Sequence, residues 1–300
     1  MTESIYEAVR EASSQPKHRI RVSRVLKILG VSRSGYYDWL RRKPSNREKQ
    51  KAEVQRAIKD IYDASKRIYG APKITAELHK MGFTTAESTV TRYMREMGIR
   101  AIWIRPYTVT TKIDNFSDEL KNILDRDFSP KAPNDVWCTD ITYIHTDKGF
   151  VYLSCVMELY SRRILAWQIA PTLETKYVIN AVKKAMINTG ARPKVIHTDR
   201  GTQYTSESYC NETHGIAKSY SSKGNPWDNA CIESFHALIK REWLNRFKIR
   251  DIQHAHSLVF EYIDTFYNTR RIHSYCGYKS PMDYENLYHI WHSASLDVAA

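Results

Sequence analysis

Residues 136–170 read VWCTDITYIHTDKGFVYLSCVMELYSRRILAWQIA. Three runs within it, VWCTDITYIHT, FVYLSCVMEL and RRILAWQIA, are rich in β-branched and aromatic residues. Turn signals separate them at Lys148-Gly149 and Tyr160-Ser161. Such runs predict strands, and connections this short predict an antiparallel three-strand meander. Alternation along the first strand places Val136, Cys138, Asp140 and Thr142 on one face. Downstream, TKYVINAVKKAMINTG (175–190) predicts an amphipathic helix closed by Gly190. PKVIHTD (193–199) predicts a short buried strand, and GIAKSYS (215–221) a fifth. Asn225 as N-cap and Pro226 at the first turn predict a long helix to about Phe247. A further helix over 252–268 and the basic tail NTRRIHSYCGYKSPMDYE (268–285) follow.

Strand, strand, strand, helix, strand, helix is the element order of a ribonuclease H-like α/β fold with a mixed five-stranded sheet. In that fold the first strand, the fourth strand and a late helix converge on one edge. Upstream, the texture is helical. VSRVLKILGVSRSGYYDWLRRK (22–43) reads as helix–turn–helix. Val25, Leu26, Ile28 and Leu29 form its first apolar face, Gly30 breaks it, and Ser32 caps a helix carrying Tyr36, Tyr37, Trp39 and Leu40. A charged helix over 46–65 carries Val54, Ile58, Ile61 and Tyr62. Pro72 starts a short helix that Gly82 ends, and another runs from Ser88 to Met97. In it Val90, Tyr93, Met94 and Met97 face inward, leaving Thr91, Arg92 and Arg95 for a partner. The expected organisation is a helix–turn–helix-like segment (1–45), a second helical DNA-binding domain (46–105), a linker (106–130), the catalytic core (131–250), and a C-terminal helix with its basic tail (251–300).

Formal net charge is +13. Residues 1–110 hold 23 Lys+Arg against 11 Asp+Glu, whereas the remaining 190 hold 23 against 22. A basic surplus confined to the front favours a polyanionic partner, nucleic acid above all. Five cysteines, none spaced as CxxC, point to a reduced, cytosolic protein rather than a disulfide scaffold. Cys210 and His214 have no matching second pair, which excludes a zinc site of the usual spacing. The first residues lack an apolar signal core, and no apolar run of 18 residues occurs.

Three acids end or interrupt apolar segments: Asp140 in VWCTDITYI, Asp199 in KVIHTDRG and Glu233 in GNPWDNACIESF. A packed core has no use for single acids there. Brought together they would repel one another unless a cation neutralised them. Hard divalent ions such as Mg²⁺ or Mn²⁺ take oxygen ligands, and two such ions can activate a water or hydroxyl and support a leaving oxygen at phosphorus. On the late helix Glu233, His236 or Ala237, and Lys240 share a face. Asp135, Asp147 and Asp228 are nearby surface acids. His197, on a buried strand, reads as a packed, hydrogen-bonded imidazole. Trp227, Asp228 and Asn229 open the late helix as structural residues, with Asp228 suited to cap it. Gln203 and Tyr204 could reach nucleic acid.

The words VWCTDITYI, HTDRGTQYTS, SSKGNPWDNACIESFHALIKRE and YNTRRIHSYCGYKSPMDY, with RIYGAPKITAEL and STVTRYMREMGI upstream, resemble the OrfB-type insertion-sequence transposases, bacterial relatives of the retroviral integrases. The resemblance spans roughly residues 20–286. It implies that Asp140, Asp199 and Glu233 are catalytic acids and metal ligands, with two Mg²⁺ or Mn²⁺ ions per site. It implies that Lys240, seven residues after the glutamate, steadies substrate phosphate. Arg200, Arg270, Arg271, His273, Arg92, Arg95 and Arg33 are the further expected DNA contacts. Thirty-three residues separate Asp199 from Glu233, two fewer than is usual in that family, with the shortening near SESYCNETHGI.

The family also implies DNA cleavage at element ends, strand transfer by a 3′-hydroxyl, and a copy-out, paste-in route through a circular intermediate. Partners implied are terminal inverted repeats, target DNA, further copies of the chain, and an upstream-frame product supplying a helix–turn–helix and leucine zipper. The setting implied is cytoplasmic and nucleoid-associated. Two other readings are a same-fold nuclease or resolvase without strand transfer, and a non-catalytic helix–turn–helix regulator.

Overall fold

The computed structural model describes residues 2–14, 21–102, 120–222 and 226–297, without the side chains of 226–227 and 294–297. Most of the expected 106–130 linker, the Asn225 cap and the side chain of Trp227 lie outside them. The chain divides into two compact units, residues 1–57 and 58–300.

The first unit contains α1 (Thr2–Ser14), α2 (Val22–Ile28), α3 (Arg33–Arg41) and the start of α4 (Asn46–Ala64). Tyr6, Val9, Leu26 and Tyr36 form its small core. Of the apolar face expected on α2, Leu26 is buried, but Ile28 and Leu29 are 75% and 47% exposed. A seven-residue helix presents too narrow a stripe to bury four positions. Ser32 caps α3, its Oγ accepting from Gly35 N at 3.2 Å. At the start of α4, Ser45 Oγ accepts from Glu48 N (3.2 Å) while Ser45 N donates to Glu48 Oε2 (2.6 Å). This reciprocal pairing satisfies two helix-end donors.

The second unit begins with the rest of α4, then α5 (Ala71–Lys80) and α6 (Glu87–Glu96). Ile58, Ile74, Leu78 and Val90 are fully buried. These helices join the rest of the unit through defined bonds. Tyr69 Oη donates to Arg270 O (3.1 Å) and accepts from Ile272 N (2.8 Å). Arg246 Nη1 donates to Lys66 O (3.1 Å), and Lys66 pairs with Glu261.

The sheet follows: β1 (Val136–Thr146), β2 (Gly149–Glu158), β3 (Ile164–Ala170), α7 (Thr175–Thr189), β4 (Val195–Thr198), α8 (Thr202–Thr205), α9 (Glu207–Glu212) and β5 (Ala217–Tyr220). Spatial order is β3-β2-β1-β4-β5. The β1–β2 and β2–β3 pairs are antiparallel; β1–β4 and β4–β5 are parallel. This is the mixed five-stranded arrangement that the element order predicted. Trp137, Val156, Val178, Ala181, Val182, Ile196, Tyr204 and Tyr209 form one core between the sheet and α7 to α9. The shortened stretch after Asp199 is spanned by the two short helices α8 and α9.

The late helix differs from expectation. Pro226–Asn229 forms a 3₁₀ turn, α10 covers Ala230–Glu242, and a second 3₁₀ turn covers Leu244–Arg246. Trp243, at φ −136°, leaves helical geometry and stops α10 short of Phe247. Then comes α11 (Ile252–Tyr262), extended by a π-helical turn over Ile263–Tyr267. After that turn Asn268 clamps the outer strand: its Oδ1 accepts from Ile164 N and its Nδ2 donates to Ile164 O, both at 2.9 Å. The basic tail ends in α12 (Pro281–Asp297), a helix not expected from the sequence.

Candidate active site

Each of the three acids sits on a different element. Asp140 lies on β1 opposite Cys155 of β2. The parallel partner β4 pairs only with Val136, Trp137 and Cys138, so Asp140 stands just past the end of that pairing. Asp199 follows β4 directly, and its Oδ1 accepts from Gly201 N at 2.9 Å. A Cβ on residue 201 would meet Asp199 Oδ1 and Gln203 Oε1 at 3.0 Å, so glycine gives this turn its room. Glu233 sits in the first turn of α10, where the helix dipole favours an acid.

The carboxylates feel one another. Burial first, and then the Asp140 charge, pushes Asp199 up to about 6. Glu233 is raised by partial burial and then by Asp140 and Asp199. That is the signature of like charges converging where water is scarce. Even so, among the described residues no three His, Cys, Asp or Glu side chains are close enough together to hold a metal ion. Asp140 has a close partner of another kind. Its Oδ2 lies 3.2 Å from Nδ1 of His236, a buried side chain one turn along α10 from Glu233. The opposite ring nitrogen of His236 is buried without a partner. The helical spacing of Glu233 and His236 was legible in sequence; the pairing of His236 with Asp140 across two elements was not. The donor set still suits a hard divalent cation: three carboxylates, two of them raised by burial first and then by their neighbours' charge, which a cation would offset.

Lys240, two turns from Glu233, lies over the Tyr143 ring with Nζ 4.1 Å from its centroid. Its pKa is lowered by burial and drawn back up by Asp140. Tyr143 had no expected role.

Several sequence expectations need correction. Arg271, expected on DNA, is 4% exposed and forms a two-pronged pair with Glu242: Nε to Oε2 at 2.7 Å, Nη2 to Oε1 at 2.6 Å. Its guanidinium is spent inside the fold. His273 is held far below the ordinary histidine range, at about 3, by burial and then by Arg271. A neutral imidazole brings no charge to a phosphate. Arg200 donates to the carbonyls of Ser221 and Leu120, each at 2.9 Å, and so ties the sheet edge to residue 120. Asp228 is neither a surface acid nor a helix cap. It is 1% exposed and accepts from Arg126 Nε (2.8 Å), Asn122 Nδ2 (3.0 Å) and Ser222 N (2.8 Å). Although burial opposes it, those donors hold its carboxyl down at about 2. Tyr204 is a core residue, 1% exposed.

The expectation for His197 agrees with the geometry. His197 is fully buried between Ser219 Oγ (2.9 Å) and Ser221 Oγ (3.2 Å). Burial lowers it to about 4, so it is a packed neutral ring. Asn229 is buried too. Arg33, Arg92, Arg95 and Arg270 are exposed. All five cysteines are free. Among the described residues no helix is long and apolar enough to cross a membrane.

Comparison with known proteins gives the family. Residues 130–226 and 214–281 each match a model described as an integrase core domain, and residues 48–107 one described as an HTH-like domain. Transposase InsF for insertion sequence IS3A of Escherichia coli (strain K12) is 35% identical over 280 residues, covering 90% of this chain and 96% of that protein. The insertion element IS600 uncharacterized 31 kDa protein of Shigella sonnei is 32% identical over 265 residues, covering 87% and 97%. Among solved structures, the HTLV-2 integrase catalytic core domain in complex with magnesium is 17% identical, with a TM-score of 0.41 over 52% of this chain and 98% of that one. The chain belongs to the IS3-type insertion-sequence transposases, DNA-transposing enzymes of the DDE transposase and integrase class.

Proposed function

We propose that this chain cuts DNA at the ends of an insertion element and transfers the cut strand through its 3′-hydroxyl, with Asp140, Asp199 and Glu233 as the catalytic acids. What supports the reading is the placement of the three acids, Asp140 just past the β1–β4 pairing, Asp199 directly after β4 and Glu233 in the first turn of α10, with the charge of Asp140 bearing on both others. These carboxylates would hold Mg²⁺ or Mn²⁺, two ions per site. Bound there, the ions would supply activation of the attacking oxygen and support for the leaving 3′-oxygen. The protein's own part is positioning. His236 holds the Asp140 carboxylate in register. Gly201 lets the Asp199 turn close. Lys240 steadies the substrate phosphate. Exposed Arg92, Arg95, Arg270 and Arg33 serve as DNA contacts, while Arg200, Arg271 and His273 act only within the fold.

The helical segments 1–45 and 46–105 are read as end-binding modules on a core of 131–250, followed by 251–300. The active species is read as an oligomer on DNA in the bacterial cytoplasm, joined by an upstream-frame product with a helix–turn–helix and leucine zipper.

Two outcomes test this reading. With labelled element ends, Mg²⁺ and Mn²⁺ support cleavage and strand transfer, while Ca²⁺ supports assembly with little product. Equal turnover in all three ions contradicts the paired-metal reading, and cleavage without any joined product makes the chain a nuclease instead. DNA affinity also falls steeply as salt rises, because the basic front neutralises several phosphates. A flat response between about 50 and 200 mM salt contradicts that assignment.

A further inference from the structure

β1 runs on past the end of β4, which pairs with it only as far as Cys138. Beside that extension lies a groove of about 650 Å³, between the β1–β2 hairpin and the chain that follows α10. Its volume falls in the range of small-ligand sites, roughly 300–1,000 Å³. Ile144, Leu244 and Ile249 supply apolar lining. Tyr143, Phe150 and Phe247 line it too, and stay 36%, 53% and 37% exposed. Phe150 meets Tyr143 edge-on at 5.5 Å and His145 edge-on at 5.4 Å. A monomer gains nothing from a cluster of exposed rings beside its reaction centre unless something covers them.

The charges indicate what covers them. Lys240 Nζ sits over the Tyr143 ring, so a cation stands beside the exposed Phe150 ring that meets Tyr143 edge-on. Lys248 lies 3.7 Å from Asp147 and offsets the one carboxylate lining the groove. Flat exposed rings beside a cation suit a base with its phosphate, since every base has a π-face to stack. Position agrees, because Lys240, which stands over Tyr143, lies two turns along α10 from Glu233 on the same helix face.

We propose that this groove receives an unpaired base of the DNA end, stacked on the face of Phe150, with its phosphate toward Lys240. This rests on the reading that the chain binds DNA ends, and it adds the place where a frayed base is held.

The test measures binding of the full chain to three duplexes of the element's terminal sequence: blunt, with a three-nucleotide 3′ tail, and with a three-nucleotide 5′ tail. Each tail carries one 2-aminopurine. At least one tailed duplex should bind about tenfold tighter than the blunt one, with its fluorescence quenched by stacking. Phe150→Ala should abolish that gain and the quenching while leaving blunt-duplex affinity unchanged, and Phe150→Trp should restore both. Phe150 is exposed, so the fold should survive, as circular dichroism melting checks. If wild type binds tailed and blunt duplexes equally, or Phe150→Ala keeps the gain, the proposal is overturned. If wild type binds no duplex at all, the DNA reading itself fails and takes the proposal with it.

Discussion

Asp140→Ala is expected to abolish strand cleavage and transfer on labelled element ends, by roughly 10³-fold or more, while end binding persists. The magnitude follows from its place. Asp140 is the acid whose charge reaches both others, raising Asp199 and Glu233 together. It is also the one in contact with His236. On the proposed reading, removing it deletes a metal ligand and frees a buried imidazole at once. The proposed binding surface lies elsewhere, on exposed arginines such as Arg92 and Arg95. A gel-shift assay beside a strand-transfer assay separates the two. Unchanged processing by Asp140→Ala would favour a non-catalytic DNA-binding protein, and lost binding would point to a folding defect.

The second large effect is on stability. Arg271→Ala should destabilise the second unit by about 3–5 kcal/mol, because Glu242 would keep a buried, unpaired charge. The two side chains are only 4% and 10% exposed, and Tyr262 Oη adds a third donor to Glu242 at 2.6 Å. Thermal unfolding reads the loss. The double change Glu242→Leu with Arg271→Leu should recover most of it, since apolar replacement of a buried pair is often neutral. Burial opposes ionisation of Glu242, but Arg271 outweighs it and holds the carboxyl below its ordinary value. The stabilisation is therefore full above that ordinary value and lost as pH falls through the lowered folded one. Intact stability with weakened DNA binding in Arg271→Ala would instead restore Arg271 to the phosphate-contact role its sequence position suggested.

Arg271 illustrates what sequence could and could not convey. Local pattern carried the secondary structure well where one face is buried. β1 spans the eleven residues of VWCTDITYIHT, because register is fixed when alternate side chains must enter a core. The Gly190 stop, the Ser32 cap and the Gly149 turn were equally legible, each being a local backbone requirement. The acids were legible as oddities, since ending apolar runs with single carboxylates has no packing rationale.

Long-range pairing was not legible. Arg271 and Glu242 are 29 residues apart, and Asp228 finds Arg126 across 102. No spacing rule joins such positions, so a buried arginine looked like a surface one. The end of α10 escaped because Trp243 and Phe247 continue an apolar pattern while the backbone at Trp243 does not continue the helix. His236 was read from its helical phase, yet its partner on β1 depends on how the helix crosses the sheet.

The most direct test is Mn²⁺ bound to crystals of the intact chain with an element-end duplex, located by its anomalous scattering. The account predicts density at oxygen-ligand distance, about 2.0–2.6 Å, from the carboxylates of Asp140, Asp199 and Glu233, with the His236–Asp140 contact kept or exchanged for metal. Manganese bound elsewhere, or held by only one of these acids while the crystals still process DNA, would contradict it.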